Sequence, residues 1–397
     1  MNETTRRLLC VRGLRAFGDG CISLLLPVYL ITLGFTPLMV GVITTATLLG
    51  SAALVLLVGL YASRFAPRRL LVSAAWLMTG TGVAFGLVTD FWPLVVIAAV
   101  GTLNPSGGDV SVFLPLEQAA LARAVDDRRR TWLFARYSLI GALAAAGGSL
   151  AAAVPQLIAH AVELKLALQA MFLLYAAFGL AAVAIYGGLP AWAAEGEIGH
   201  APLRESRRIV FTLAALFSLD AFGGGFIVQS MLALWLFERF DLSLATAAAI
   251  FFWTGLLTAF SYLVAVRIAS RIGLVNTMVF THLPSSILLV LVPFMPTLEW
   301  AVALLIVRSA LSQMDVPTRN SYVMAVVAPR ERAAAASVTA VPRSLAASLS
   351  PLLTGYLLSV STFGLALVIA GCVKITYDLL LLATFRAVRP PEEVESC

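Results

Sequence analysis

The chain reads twice. Ala16-Phe17-Gly18-Asp19-Gly20 recurs about 206 residues later as Ala221-Phe222-Gly223-Gly224-Gly225, with an aspartate close by in each copy, Asp19 and Asp220. Ser63-Arg64 returns as Ser270-Arg271, Asp109-Val110 as Asp315-Val316, and Arg136-Tyr137-Ser138-Leu139 as Arg343-Ser344-Leu345; Gly148 falls opposite Gly355. Each copy is too apolar for water. Of the 397 residues 60% are hydrophobic and 12% charged, where a soluble domain carries about 25% charge. Two apolar repeats with acids at matching places imply two membrane bundles that face each other across a polar site.

Apolar runs of about 20 residues span a bilayer as helices. They fall at 8–34, 38–62, 69–89, 92–121, 131–154, 166–189, 208–236, 243–269, 275–295, 298–326, 333–360 and 362–386. The expected fold class is therefore an all-α membrane protein of about twelve transmembrane helices in two pseudo-symmetric six-helix bundles. The bundles are 1–189 and 208–397, joined by the polar linker 190–207. The first run contains Asp19 and Pro27 and belongs to the repeat, so it reads as a mature helix and not a cleaved leader. Arginine is concentrated at both ends and in alternate loops (Arg6, Arg7, Arg68, Arg69, Arg128, Arg129, Arg204, Arg330, Arg386), whereas the opposite loops hold little beyond Lys165 and Arg239. The positive-inside rule then places both termini in the cytoplasm of a cell-membrane protein. It also explains the net charge of +6 without nucleic acid.

Four scattered cysteines without a CxxC pair indicate neither a disulfide framework nor a zinc site, and His160, His200 and His282 are too dispersed for a metal cluster. No cofactor is expected. The only lysines, Lys165 and Lys374, are followed by Leu and Ile, so no phosphate-binding Gly-Lys-Ser/Thr loop exists and ATP is not the fuel.

An acid in hydrocarbon is costly and faces a cavity or a partner. Asp19, Asp109, Asp220 and Asp315 fall in the first, fourth, seventh and tenth runs, equivalent positions around one centre; they either line a transport path or pair with Arg to lock helices. Arg136 and Arg343, duplicated at matching depth, are the expected partners of Asp109 and Asp315, as a structural or gating clamp or in contact with substrate. Arg308 is not duplicated, since its counterpart region is Thr102-Leu103; it suits either an anionic substrate group or a pair with a central aspartate. Lys374 and Asp378, spaced i,i+4, are expected to neutralise each other. Glu117 and Gln118 end the fourth run, as part of a cytoplasmic gate or as a solvated helix end. Of the aromatics, Phe222 and Trp253 are candidates to line a cavity. Asp19 and Asp220 have no arginine obviously neutralising them, which makes them the candidates to carry a proton.

Between the second and third runs, Gly59-Leu-Tyr-Ala-Ser63-Arg64-Phe-Ala66-Pro-Arg68-Arg69 resembles the loop motif of the major facilitator superfamily, Gly-x-x-x-Asp-Arg-x-Gly-Arg-Arg/Lys. Ser63 replaces the Asp and Ala66 the second Gly; Ser270-Arg271-Ile-Gly273 is the degenerate copy. The resemblance covers the whole chain through its spans, linker and repeat. It implies a non-enzymatic secondary transporter, working as a monomer in the lipid bilayer by alternating access on a small-molecule substrate. Arg64, Arg68, Arg69 and Arg271 would then belong to gating loops. With Ser63 in place of the family's acid, Arg64 needs another partner, Glu117 being one option. Ser350-Pro351-Leu-Leu-Thr354-Gly355 resembles the antiporter motif Gly-Pro-x-x-Gly-Gly, though on the eleventh run and not the fifth. The leading reading is proton-coupled export of a small organic molecule. The alternatives are a proton-linked organic-anion transporter using Arg308 and, in a different class, a transporter-like membrane sensor.

Overall fold

The computed structural model describes residues 3–61, 64–107, 111–124, 127–190 and 203–386, and all regular structure among them is helical. In chain order the α-helices are α1 (Glu3–Thr32), α2 (Pro37–Tyr61), α3 (Pro67–Leu87), α4 (Phe91–Val100), α5 (Phe113–Ala124), α6 (Asp127–Ala151), α7 (Val154–Ile158) and α8 (Leu164–Gly187). They continue as α9 (Arg207–Gly225), α10 (Gln229–Phe240), α11 (Leu244–Ile272), α12 (Leu274–Leu291), α13 (Leu298–Leu311), α14 (Asp315–Val326), α15 (Arg332–Val360) and α16 (Leu365–Phe385). Nine stretches among the described residues are long and apolar enough to cross a membrane. The expected fourth and tenth spans are not among them; each is broken in two, as is the seventh, whose two helices still count as one apolar stretch, Arg207–Phe240. The eleventh, α15, is unbroken but carries Arg343 and two prolines.

The breaks correct the expectation of continuous helices at 92–121, 208–236 and 298–326, and each has a local cause. Asn104-Pro105-Ser106-Gly107 follows α4, and Gly107 is left-handed at φ 63°, a turn no helix continues through. Three glycines in a row, 223–225, end α9. Pro317 lacks an N–H and its ring clashes with the carbonyl four residues back, so the tenth span cannot run unbroken and restarts at Asp315. Non-helical backbone at membrane depth must be satisfied by protein. The first break meets that demand: Thr102 N–H donates to Thr81 Oγ1 at 3.3 Å, Thr102 O accepts from the Tyr175 hydroxyl at 3.2 Å, and Pro105 O accepts from Ser230 N–H at 3.0 Å.

The chain divides into two compact units, Met1–Glu197 with Val228–Phe252, and Ile198–Ile227 with Trp253–Cys397. The break after α9 thus sends α10 and the start of α11 into the first unit, where Gln229 Nε2 reaches Ser149 Oγ at 3.0 Å and Ala245 N–H reaches Gln156 Oε1 at 2.9 Å. The repeat shows in the helix pairs: α1 packs on α6 and α8 in the first unit, as α9 packs on α15 and α16 in the second. Large apolar side chains face outward, Trp92 at 73% and Leu87 at 68% exposure, while charged groups such as Arg15, Asp19, Glu117, Asp220 and Arg319 are buried. That inversion of the soluble pattern suits a lipid surround.

Glycine permits the tightest helix approaches. A methyl on Gly20 would collide with the Ala145 carbonyl of α6, and one on Gly225 with the Ala347 carbonyl of α15. Both obstacles are backbone and yield little. Gly20→Ala and Gly225→Ala are each expected to cost about 1–3 kcal/mol by overpacking. Thermal unfolding of the purified variants checks this, and unchanged midpoints would contradict it.

Candidate functional site

In the second unit, three helices, α12, α14 and α16, converge on Asp220 of α9, which is 5% exposed. Its Oδ1 accepts from Lys374 Nζ of α16 at 2.6 Å, and its Oδ2 accepts from Arg319 Nη1 of α14 at 3.3 Å. Arg319 Nη1 also donates to Asp315 Oδ2 at 3.1 Å, an i,i+4 pair on α14. Restarting α14 at Asp315 puts this acid in a helix first turn, where the dipole favours negative charge. His282 of α12 lies between two acids, Nε2 at 3.6 Å from Asp220 Oδ1 and Nδ1 at 2.9 Å from Asp378 Oδ1. Each nitrogen of the imidazole thus faces a carboxylate oxygen. Phe217 lies beneath the Arg319 guanidinium at 5.4 Å, and Tyr377 packs edge-on to His282 at 5.9 Å.

Several expectations change here. Asp220 is not free of cations: lysine and arginine from distant parts of the chain both hold it. Lys374 and Asp378 do not neutralise each other along α16; the first turns to Asp220 and the second to His282, because both project into the unit interior where those partners sit. Asp315 is paired with Arg319 and not with Arg343, although Arg343 lies within the field of Arg319, Asp220 and Asp315 and so shares their network. Arg308 of α13 makes no ion pair among the described residues. Its Nε is buried with no hydrogen-bond partner, and Asp220 is the acid whose field reaches it.

The first unit holds a related but differently wired cluster. Glu117 of α5 is fully buried and accepts from Arg15 Nη2 at 2.8 Å and from the hydroxyls of Tyr137 and Tyr186. It is neither a solvated helix end nor a partner of Arg64, which stacks on Tyr61 at 5.4 Å. Asp19 of α1 is 7% exposed and accepts from the Tyr175 hydroxyl at 3.3 Å. Arg15 and Arg12 act on it through space. Arg15 rests over Phe113 at 3.9 Å and Arg12 over Tyr137 at 4.8 Å.

Asp109 lies outside the described residues, and with it the expected Asp109–Arg136 pair; Arg136 itself is exposed on α6. Phe222 is half-buried and meets Phe226 edge-on at 5.2 Å, while Trp253 is 54% exposed. Arg68 and Arg69 open α3 and Arg271 closes α11. Cations at a helix N-terminus oppose its dipole, so Arg68 and Arg69 are not there for helix stability. Sequence reasoning missed Arg15, Arg319, His282 and Tyr175. For two of them a signal existed, since Arg15 precedes Asp19 by one helical turn and Arg319 follows Asp315 by one.

Outside the spans, Glu331 ties the two segments that precede α9 and α15. Its carboxylate accepts from the backbone N–H of Arg204, Glu205 and Ser206 at 2.9, 3.0 and 3.0 Å. Ser206 Oγ in turn accepts from Ala328 N–H at 3.1 Å, and Arg330 pairs with Glu205. Those backbone donors hold the Glu331 carboxyl down at about 2, below its ordinary 4.5. A folded-state value below the unfolded one contributes stability that is complete above the unfolded value and lost as pH falls through the folded one. The unfolding-midpoint difference between the protein and Glu331→Gln is therefore expected to stay constant from about pH 8 to about 5 and to shrink below about 4.5. A difference that grows on acidification would contradict it.

Two buried charge clusters in helical units of duplicated topology define a polytopic carrier fold, and the comparisons agree. The Major Facilitator Superfamily model matches residues 8–312 and 213–396, and the chain belongs to that family of transporters. It is 25% identical to an uncharacterized membrane protein of Saccharomyces cerevisiae, YJR124C, over 94% of this chain and 92% of that one. Among solved structures it resembles a point mutant of the nucleoside transporter NupG, with a TM-score of 0.78 at 14% identity, covering 96% of this chain and 100% of the other. A bacterial homolog of the human lysosomal transporter Spinster aligns with a TM-score of 0.73 at 14% identity over 96% and 95%. The human organic anion transporter MFSD10 gives 0.65 at 14% over 96% and 100%. At these identities the solved structures speak to fold.

Proposed function

We propose that this transporter exports a small organic molecule across the cell membrane in exchange for protons, by alternating access, with both termini in the cytoplasm. The observation that carries the reading is the contrast between the two repeat-related aspartates. Asp220 is ion-paired with Lys374 and Arg319, whereas Asp19 is equally buried, accepts from the neutral Tyr175 and feels Arg15 and Arg12 through space. A carboxylate inside a membrane protein that is bonded to a neutral group can take up a proton when dry and release it when wet. Asp19 is accordingly the proton carrier, and Asp220 with its partners forms the fixed frame of the second unit. The Glu117–Arg15 lock and the Arg-bearing loops serve gating.

Proteoliposomes test this. A panel of permanently charged and neutral aromatic probes should include members that move uphill under an imposed pH gradient and stop when an ionophore collapses it. Uphill movement that survives the ionophore, or that needs sodium, would overturn proton coupling.

A further inference from the structure

In the first unit, Arg12 and Arg15 face Asp19 and Glu117 among the described residues. In the second, Lys374, Arg319, Arg308 and Arg343 face only Asp220, Asp315 and Asp378 among the described residues. Asp378 is moreover engaged by His282. With His282 neutral the second cluster carries one positive charge in excess, and with His282 protonated it carries two. An uncompensated charge in a protein interior is strongly unfavourable, so such an excess calls for an anion.

Two arginine donors of this unit are unsatisfied. Arg308 Nε and Arg319 Nη2 are both buried without a hydrogen-bond partner, and both guanidinium groups lie in the field of Asp220. A buried N–H left unpaired costs about 1–3 kcal/mol, so an acceptor brought to Arg308 Nε is favourable. Guanidinium groups present paired N–H donors that match the oxygens of a carboxylate or a phosphate. The hydrogen bonds that Asp220 accepts come from Lys374 and Arg319. Arg308 also has no counterpart in the first repeat, as expected of a residue kept for cargo and not for the shared frame.

We infer that Arg308 binds an oxyanion group of the substrate, so that the cargo is an organic carboxylate or phosphate. This rests on the reading of the chain as a carrier of small organic molecules and names the class of its cargo.

Binding to the full-length protein in detergent, without any gradient, separates this inference from proton coupling. The probes are benzoate and phenyl phosphate, with benzamide as the neutral and benzylammonium as the cationic control, at constant chloride. At least one oxyanion should raise the unfolding midpoint saturably while neither control does, and the arm that binds tells carboxylate from phosphate. Arg308→Gln should weaken that binding at least tenfold while leaving the unliganded protein as stable as before or more so, because it removes an uncompensated charge. Equal binding of benzamide or benzylammonium, stabilisation that chloride alone reproduces, unchanged affinity in Arg308→Gln, or collapse of the unliganded variant would each overturn the inference. Oxyanion binding without pH-driven transport would instead defeat the proton-coupled reading and leave this site intact.

Discussion

Asp220→Ala is expected to be among the most destabilising substitutions in the chain, costing about 3–5 kcal/mol by leaving buried cations unpaired. Lys374 Nζ would lose the carboxylate it holds at 2.6 Å, and Arg319 would keep Asp315 alone. Removal of one acid from a cluster already in cationic excess also raises that excess. Lys374→Met acts in the opposite direction: Asp220 retains Arg319, the excess charge is removed, and the lysine stem is replaced by a side chain of similar length. It should be mild by itself and should rescue much of the loss in the double variant Asp220→Ala, Lys374→Met. Unfolding midpoints of the three purified proteins check the ordering. A Lys374→Met protein as unstable as Asp220→Ala, or a double variant worse than either, would show that the network is not wired in this way.

Asp19→Asn should leave the fold nearly intact and abolish coupling. The amide keeps the size of the carboxyl and can still accept from Tyr175, and Arg15 keeps its ion pair with Glu117. Titration, however, is gone. Accumulation of a transported probe against its gradient should fall at least about a hundredfold, a loss of two decades corresponding to about 2.7 kcal/mol of coupling. Equilibrium binding should change by less than about threefold, and downhill exchange should persist. Retained accumulation in Asp19→Asn would assign the proton to another group.

Much of the fold was legible because it depends on local and periodic features. Apolar runs, arginine-rich loops and the repeat needed no knowledge of tertiary contacts. The breaks in the fourth and tenth spans had visible causes in Asn104-Pro105 with Gly107 and in Pro317, but hydropathy averaged over a window does not register them. The candidate site was legible in its members more than in its wiring. Asp19 and Asp220 stood out as intramembrane acids at repeat-related positions, yet their environments diverge because Lys374 and Arg319 reach Asp220 from helices far along the chain. Sequence spacing similarly suggested Lys374 with Asp378, since i,i+4 neighbours share a helix face. It could not show that α9 and α12 offer stronger partners on that face. Glu117 was placed in the right helix, but its burial against Arg15, Tyr137 and Tyr186 depends on three other elements meeting. Arg308 was marked by its lack of a repeat partner, and the structure adds the unpaired buried Nε.

The most direct test of the account is a recording of internal pH in proteoliposomes of the full-length protein containing a trapped fluorescent pH reporter. Phenyl phosphate, benzenesulfonate, benzenesulfonamide and phenyltrimethylammonium are added in turn outside, with membrane potential clamped by potassium and valinomycin. The account predicts that at least one probe evokes a saturable internal pH change in the wild-type protein and none in Asp19→Asn. Probe entry by the wild-type protein with no accompanying proton movement, or an equal pH change in Asp19→Asn, would contradict it.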